Sequence, residues 1–250
     1  MAKTVIVTGA GRGTGRLVAA RFAAKGWNVA AVDLDESRVK HLATEGAGAG
    51  GELRALQADV SSDRAVADMV ADVVDRWKTV DVLVSMAGGY GPSFRASHET
   101  PEDEWDMVVG SNMKGVFLCA KHVIPVMLKN GGGRIINFAS NAGRSCSPVL
   151  GCSYTAAKTG VIGITRHLAK EYANRGIVVN TVAPGPLDGD RVADQLRNPE
   201  DRQALMSSIP VGRLGREAEI SDVVMFLALD APTYMTGAIL DVNGGLVLAA

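Results

Sequence analysis

A tyrosine and a lysine four residues apart form a pair in this chain that could do chemistry. Tyr154 and Lys158 open a stretch of helical period, and their spacing places the phenol and the ammonium on one helix face. A nearby ammonium stabilises a phenolate and lowers the pKa of the phenol, which suits a general acid/base that exchanges a proton with an alcohol. Two ordinary surface neighbours would show the same spacing.

A serine hydroxyl could join this pair. Ser140 directly follows a predicted strand that ends at Ala139. A hydroxyl at that edge could donate a hydrogen bond to the reacting oxygen of a substrate, although serine is also common in turns after strands. The histidines and cysteines show no metal-ligand spacing, so we expect no metal centre.

A glycine-rich turn after the first predicted strand is typical of a dinucleotide site. The turn reads Thr8-Gly9-Ala10-Gly11-Arg12-Gly13-Thr14-Gly15 and precedes a predicted helix. Glycine lets the chain turn sharply, lets a pyrophosphate approach backbone N–H groups, and lets the helix pack closely on the sheet. Asp33 ends the second predicted strand, where a carboxylate can accept hydrogen bonds from the adenosine ribose.

The charges beside this turn indicate which dinucleotide would bind. Asp33 would repel a 2′-phosphate and pairs well with free ribose hydroxyls. The guanidinium of Arg12 could instead bind such a phosphate, or remain a solvated cation. We therefore expect NAD, with NADP the less favoured cofactor.

The segments that must position these residues alternate between strand and helix. Short β-branched runs predict strands over Thr4–Thr8, Asn28–Leu34, Leu53–Asp59, Val80–Ser85, Arg134–Ala139, Ile177–Ala183 and Ala238–Val242. Helical period predicts helices over Arg16–Lys25, Glu36–Glu45, Asp63–Trp77, Glu102–Lys129, Tyr154–Asn174 and Ile220–Leu229. This pattern predicts an α/β fold: one doubly wound parallel sheet of about seven strands, helices on both faces, and ligands beyond the carboxyl ends of the strands.

Composition excludes several classes of protein. The 250 residues carry 26 basic and 27 acidic side chains, so no large field of one sign could hold a nucleic acid or an acidic membrane. The apolar run Val223–Leu229 is too short to span a bilayer, and three cysteines do not make a disulfide framework. We expect a soluble cytoplasmic protein with one domain over residues 1–250, no signal peptide, no nucleic-acid partner and no membrane partner.

The ordered motifs resemble the short-chain dehydrogenase/reductase family over essentially the whole chain. They are Thr8-Gly9-x-x-x-Gly13-x-Gly15, Asp33, Asp59-Val60, Asn112, Ser140, Tyr154-x-x-x-Lys158, Pro184-Gly185 and Asn243-Gly244-Gly245. The resemblance implies a Rossmann-like enzyme that moves a hydride between nicotinamide and a carbinol or carbonyl carbon. It implies that Tyr154 is the general acid/base and that Lys158 lowers the pKa of Tyr154 and binds the nicotinamide ribose. It also implies that Ser140 orients the substrate oxygen and that Asn112 holds a relay water.

The resemblance also implies a set of cofactor contacts. Asp59 and Val60 would face the adenine, and Pro184 and Gly185 would line the nicotinamide pocket. The full expected set is Gly9, Arg12, Gly13, Thr14, Gly15, Asp33, Leu34, Asp59, Val60, Ser85, Ala87, Gly88, Tyr154, Lys158, Pro184, Gly185 and Leu187.

Two departures from the family pattern bear on this site. Ser85-Met86 stands where the family has two asparagines, so we expect some loss of rigidity between the central strands and no loss of chemistry. After Pro184-Gly185 the family often places a threonine that holds the nicotinamide carboxamide, and here backbone groups or Asp188 would have to substitute.

Loops after the fourth, fifth and sixth strands are expected to hold the substrate, at about residues 90–97, 144–152 and 186–208. Ser140 and Tyr154 are expected substrate contacts. In addition, each loop carries one arginine that could bind an anionic group: Arg95, Arg144 and Arg191. Each is also compatible with an ordinary exposed arginine.

Two predicted helices have wide apolar faces, Glu102–Lys129 and Tyr154–Asn174. The family commonly buries these faces between subunits, so we expect a homo-oligomer, a dimer or a tetramer.

Three functions remain open from the sequence. The first is an NAD-dependent oxidoreductase that interconverts a secondary alcohol and a ketone. The second is an NADP-dependent reductase of the 3-oxoacyl-acyl-carrier-protein type, which Asp33 disfavours. The third is a non-catalytic dinucleotide sensor, against which the retention of Asn112, Ser140, Tyr154 and Lys158 argues.

Overall fold

The computed structural model describes residues 2–40, 42, 50–189, 195–196 and 198–248. Seven parallel strands form one sheet in the order β3-β2-β1-β4-β5-β6-β7. The strands are β1 Thr4–Thr8, β2 Asn28–Asp33, β3 Leu53–Gln57, β4 Val82–Ser85, β5 Gly133–Phe138, β6 Ile177–Pro184 and β7 Ile239–Val242. The order reverses between β1 and β4, as in a doubly wound fold, so the predicted fold class is confirmed.

Helices cover both faces of this sheet. They are α1 Gly13–Ala24, α2 Asp63–Trp77, α3 Glu102–Val109, α4 Gly115–Lys129, α5 Asn141–Arg144, α6 Gly151–Tyr172, α7 Pro199–Ser208 and α8 Glu217–Met225. Among the residues that the structure describes, no helix has the length and apolar content needed to cross a membrane.

The alternation of side chains along each strand builds two separate cores. Val5 and Val7 of β1 pack with α1 and α8 on one face of the sheet. Ile6, between them, packs with α2, α4 and α6 on the other face. Because both faces are covered, most strand positions carry apolar residues, and β1 is buried throughout.

The predicted helix over Glu102–Lys129 has these bounds in the structure, but it is not one regular α-helix. A π-helical turn, Gly110–Lys114, separates α3 from α4. The glycine after this turn, Gly115, packs against Val60, since a Cβ on Gly115 would lie 2.7 Å from the Val60 Cγ2. Widening the helix by one residue turns Asn112 into the interior, where it is 1% exposed.

Other boundaries also differ from the prediction. Strand β2 ends at Asp33, and Leu34 beyond it is exposed. Of the predicted helix Glu36–Glu45, the structure describes a 3₁₀ turn over Glu36–Arg38, and His41 and residues 43–45 lie outside the described residues. Helix α7 lies within the region predicted as a substrate loop, where Asn198 caps it by accepting the Glu200 N–H at 3.0 Å.

Candidate active site

Tyr154 and Lys158 lie together on the buried face of α6. The two residues are 7% and 5% exposed, and the Lys158 Nζ lies 5.6 Å from the centre of the Tyr154 ring. The Nζ also donates a hydrogen bond of 2.8 Å to the Phe138 carbonyl at the end of β5. This bond fixes the ammonium at the carboxyl edge of the sheet, beside the phenol.

Ser140 begins the short helix α5 and serves as its N-cap. Its Oγ accepts a hydrogen bond of 3.1 Å from the Ala142 N–H and donates one of 3.0 Å to the Asn141 Oδ1. Ala142 packs in one apolar cluster with Tyr154 and Val108. The serine is therefore both a helix cap and a neighbour of the catalytic candidates, so the two interpretations of it are compatible.

Asn112 connects the π-helical turn to the loop after β4. Its Nδ2 donates hydrogen bonds to the carbonyls of Gly89 at 2.6 Å and of Val108 at 2.8 Å. Its Oδ1 faces Gly88 so closely that a Cβ on Gly88 would collide with it. These contacts fix Asn112 against the loop after β4, while its expected role with a relay water stays a prediction.

The glycine turn forms a cradle that side chains would fill. Gly9 has a φ of +70°, and a Cβ on it would lie 2.9 Å from the backbone nitrogen of Ala87. A Cβ on Gly15 would strike the Gly9 carbonyl, so α1 packs directly on the turn. Arg12 and Thr14 continue the turn, and α1 begins at Gly13. A bare backbone at a helix N-terminus fits a pyrophosphate.

Asp33 is held next to this cradle. Its Oδ2 accepts a hydrogen bond of 2.9 Å from the Gly11 N–H, and its Oδ1 accepts one of 3.2 Å from the Asp35 N–H. Arg38, close to the turn, forms an ion pair of 3.1 Å with Asp35. A carboxylate therefore lies at the end of β2, where the sequence predicted it.

The residues expected at the adenine lie after β3. The Asp59 Oδ1 accepts hydrogen bonds from the Ser61 N–H at 2.8 Å and from the Ser61 hydroxyl at 2.7 Å. Val60 is buried at 6% exposure. Both follow the carboxyl end of their strand, as the cradle does.

The Ser85-Met86 departure has a visible consequence in the sheet. Within the described part of the chain, the buried Ser85 Oγ finds no hydrogen-bond partner, nor does the Oδ1 of Asn137, which is its register partner on β5. The Thr8 Oγ1 still joins β1 to the next turn by accepting the N–H groups of Met86 and Ala87, each at 3.2 Å. The turn that carries Ala87 and Gly88 is thus tied to β1 even without the family's asparagines.

A residue that the sequence analysis missed, Glu217 at the start of α8, lies beside the turn after β6. Asp188, suggested above as an anchor, instead pairs with Arg202 of α7 at 2.7 Å, while Leu187 bridges to Gly215. The Glu217 Oε1 lies between the glycine turn after β1 and the turn after β6, 2.9 Å from where a Cβ on Gly13 would be and 3.0 Å from one on Gly189. No local pattern could reveal it, since Glu217 and Gly13 are distant in sequence.

The loops expected to hold the substrate meet over Tyr154. The Tyr90 ring packs edge-to-face on the Tyr154 ring with centres 6.4 Å apart, and the Phe94 N–H donates to the Val149 carbonyl at 2.9 Å. Arg95 pairs with Glu104 at 3.2 Å. Arg144 pairs with Asp241, and Arg191 lies outside the described residues.

Comparison with known proteins agrees with this geometry. A family model described as Enoyl-(Acyl carrier protein) reductase matches residues 9–247. The chain belongs to the short-chain dehydrogenase/reductase family. Within that family, proteins named 3-oxoacyl-[acyl-carrier-protein] reductase FabG are similar to it. The protein from Staphylococcus aureus is 39% identical, with 99% of each chain covered. The one from Thermotoga maritima is 36% identical, with 98% of each chain covered.

A solved short-chain dehydrogenase/reductase structure shares the fold. It is a crystal structure of a protein from Sinorhizobium meliloti 1021 assigned as a short-chain alcohol dehydrogenase. The TM-score is 0.91 at 30% identity, with 100% of this chain and 98% of that chain covered.

Proposed function

We propose that this oxidoreductase interconverts a ketone and a secondary alcohol, with Tyr154 as the general acid/base. The observation that carries the proposal is the buried Tyr154–Lys158 pair, whose ammonium lies 5.6 Å from the phenol ring at the same sheet edge as the glycine cradle. A bound nicotinamide dinucleotide would supply or accept the hydride.

Each of the four candidate groups has a part in moving or holding one proton. In the reducing direction the Tyr154 hydroxyl protonates the forming alkoxide. The Lys158 ammonium stabilises the resulting phenolate. The Ser140 hydroxyl would turn from the Asn141 Oδ1, to which it donates in the structure, and donate to the substrate oxygen instead. Asn112, fixed by its bonds to Gly89 and Val108, would hold a relay water near Lys158.

The substrate that we favour is a 3-oxoacyl thioester. Two relatives that match nearly the whole chain are named 3-oxoacyl-[acyl-carrier-protein] reductase, and a 3-oxo group is a ketone. Among the described arginines of the substrate loops, Arg95 pairs with Glu104 and Arg144 with Asp241. An anionic substrate would have to compete with these carboxylates, which favours an uncharged reacting group.

We expect NAD to bind more tightly than NADP. The Asp33 carboxylate is fixed beside the cradle by the Gly11 N–H, so a 2′-phosphate would approach a negative charge. Fluorescence titration with NADH and NADPH measures the preference. In the variant Asp33→Ser the preference for NADH over NADPH should fall by about tenfold or more, because the carboxylate that repels the 2′-phosphate is gone. Tighter binding of NADPH than of NADH to the unmodified protein would contradict the assignment.

The catalytic assignment is tested by Tyr154→Phe. Removing the acid/base should lower kcat by about a thousandfold, while the Kd for the dinucleotide stays within about twofold because the ring keeps its packing. The assay screens 3-oxoacyl thioesters, hydroxyacyl thioesters, hydroxy acids and polyols with both coenzymes. Tight dinucleotide binding without turnover on any of them would support the sensor instead, and a fully active Tyr154→Phe protein would refute the assignment.

A further inference from the structure

Arg144 and Asp241 form a two-pronged ion pair between a helix of the site and the last strand. The Arg144 Nε lies 3.0 Å from the Asp241 Oδ1, and its Nη2 lies 3.0 Å from the Oδ2. The two side chains are only 13% and 24% exposed. A bidentate, half-buried pair fixes both position and orientation, which a solvated surface pair does not.

The Arg144 end of the pair belongs to the turn that carries Ser140. Helix α5 has one turn, with Ser140 as its cap and Arg144 as its last residue. Between them, Gly143 packs on the backbone of α6, where a Cβ would lie 2.6 Å from the Lys158 carbonyl oxygen. A shift of Arg144 would therefore be passed to Ser140 and to the backbone of Lys158.

The Asp241 end belongs to the strand that holds the turn after β6. Ala183 and Pro184 of β6 pair with Asp241 and Val242 of β7. The Gly185 N–H donates to the Val242 carbonyl at 3.0 Å, and a Cβ on Gly185 would lie 2.8 Å from the Asn243 Cα. The Pro184-Gly185 turn is thus fixed against β7 next to the ion pair.

We propose that Arg144 and Asp241 are positioning residues, which hold the Ser140 turn at a set distance from the Pro184-Gly185 turn. The inference rests on the proposed function, because these turns would hold the two reactants, the substrate oxygen and the nicotinamide. Hydride transfer is sensitive to that distance, and a misplacement of about 1 Å can cost about a hundredfold in rate.

The variants Asp241→Asn and Arg144→Met test this role. Each should lower kcat by about tenfold or more and raise the isotope effect with deuterated coenzyme, with less than about twofold change in the Kd for the dinucleotide. Exchanging the two charges, Arg144→Asp with Asp241→Arg, should recover part of kcat. The matched control is Arg54→Met, which breaks the Arg54–Asp72 pair of 3.0 Å at the far edge of the sheet and should leave kcat unchanged.

The same variants separate positioning from substrate binding. If Arg144 instead binds an anionic substrate, Asp241→Asn frees the guanidinium for the substrate and lowers KM. The double variant Arg144→Asp with Asp241→Arg then abolishes substrate binding. These two results together would overturn the proposal. Asp241→Asn preserves the shape of the side chain, so it remains informative if Arg144→Met fails to fold.

Hydrogen exchange tests the pair without turnover. In Asp241→Asn the backbone amides of Ala142, Gly143 and Ser145 should exchange about tenfold faster, and unchanged exchange overturns the proposal. The wild-type protein could turn over no substrate while the amides of Asp241→Asn exchange faster. In that case the ion pair still holds the two turns in place, and the proposed function is refuted.

Discussion

At the scale of single residues, the site combines the Tyr154 phenol and the Lys158 ammonium with two carboxylates. Asp33 lies at one end of the glycine cradle, and the Glu217 Oε1 lies beside the space at Gly13 and Gly189. Two negative charges therefore border the place where an anionic pyrophosphate would lie. Such charges select between dinucleotides but also weaken the binding of each of them.

Replacing Glu217 by Gln should tighten dinucleotide binding. Removal of one negative charge near the pyrophosphate should lower the Kd for NADH by about threefold to tenfold at low salt, and the gain should shrink at high salt because exposed charges are screened. Fluorescence titration at two ionic strengths measures it. Glu171→Gln, at the C-terminal end of α6, is the control with the same change of charge. Weaker binding by Glu217→Gln would contradict the prediction.

At the scale of the element, the start of α8 depends on one carboxylate. The Glu219 Oε1 and Oε2 accept hydrogen bonds from Arg213 at 2.8 and 2.9 Å, and the Oε2 accepts the Arg216 N–H at 2.8 Å. These bonds, with Arg213 the largest contribution, hold the pKa of the Glu219 carboxyl well below its ordinary value of 4.5. Helix α8 also carries Glu217, so this cap helps to fix Glu217 beside Gly13 and Gly189.

The stability that Glu219 contributes should depend on pH. Because its pKa is lower in the folded state, the contribution is complete above about pH 4.5 and is lost as the pH falls below that value. Thermal unfolding at about pH 7 and about pH 4 should show a difference in Tm between wild type and Glu219→Gln that narrows at the lower pH. Asp106→Asn, on the exposed face of α3, serves as the control, and an unchanged difference would refute the prediction.

At the scale of the whole molecule, α3 and α4 leave three large apolar side chains exposed. Trp105, Met107 and Phe117 are 39%, 49% and 49% exposed. Burying them against a second copy would remove this apolar surface from water. All three lie within Glu102–Lys129, one of the two predicted helices whose apolar faces led us to expect a homo-oligomer.

We expect the protein to have a mass in solution of at least twice its 26.1 kDa. Phe117→Glu should shift the mass toward the monomer at micromolar concentration, because a buried unpaired carboxylate is costly. Light scattering after size exclusion measures it. Phe94→Glu, in the loop after β4 and 63% exposed, should leave the mass unchanged, and a monomeric wild type would contradict the prediction.

Local sequence signals predicted the strands, the glycine cradle and the Tyr154–Lys158 pair. Each rests on periodicity or on a spacing within one turn, which the chain determines over a few residues. Boundaries were predicted less well. The π-helical turn at Asn112 does not alter the hydrophobic period enough to be seen in the sequence. The start of α7 is set by the Asn198 cap, a single side-chain contact.

The sequence by itself thus determined which side chains could do the chemistry and at which edge of the sheet they lie, because parallel strands place their carboxyl ends together. Only the tertiary structure decided which charges meet. It paired Arg144 with Asp241 and Arg95 with Glu104, and it placed Glu217 beside Gly13. Arg144 and Asp241, like Gly13 and Glu217, lie on elements far apart along the chain. Their distances are therefore set by the packing of the whole sheet and its helices, which no local pattern encodes.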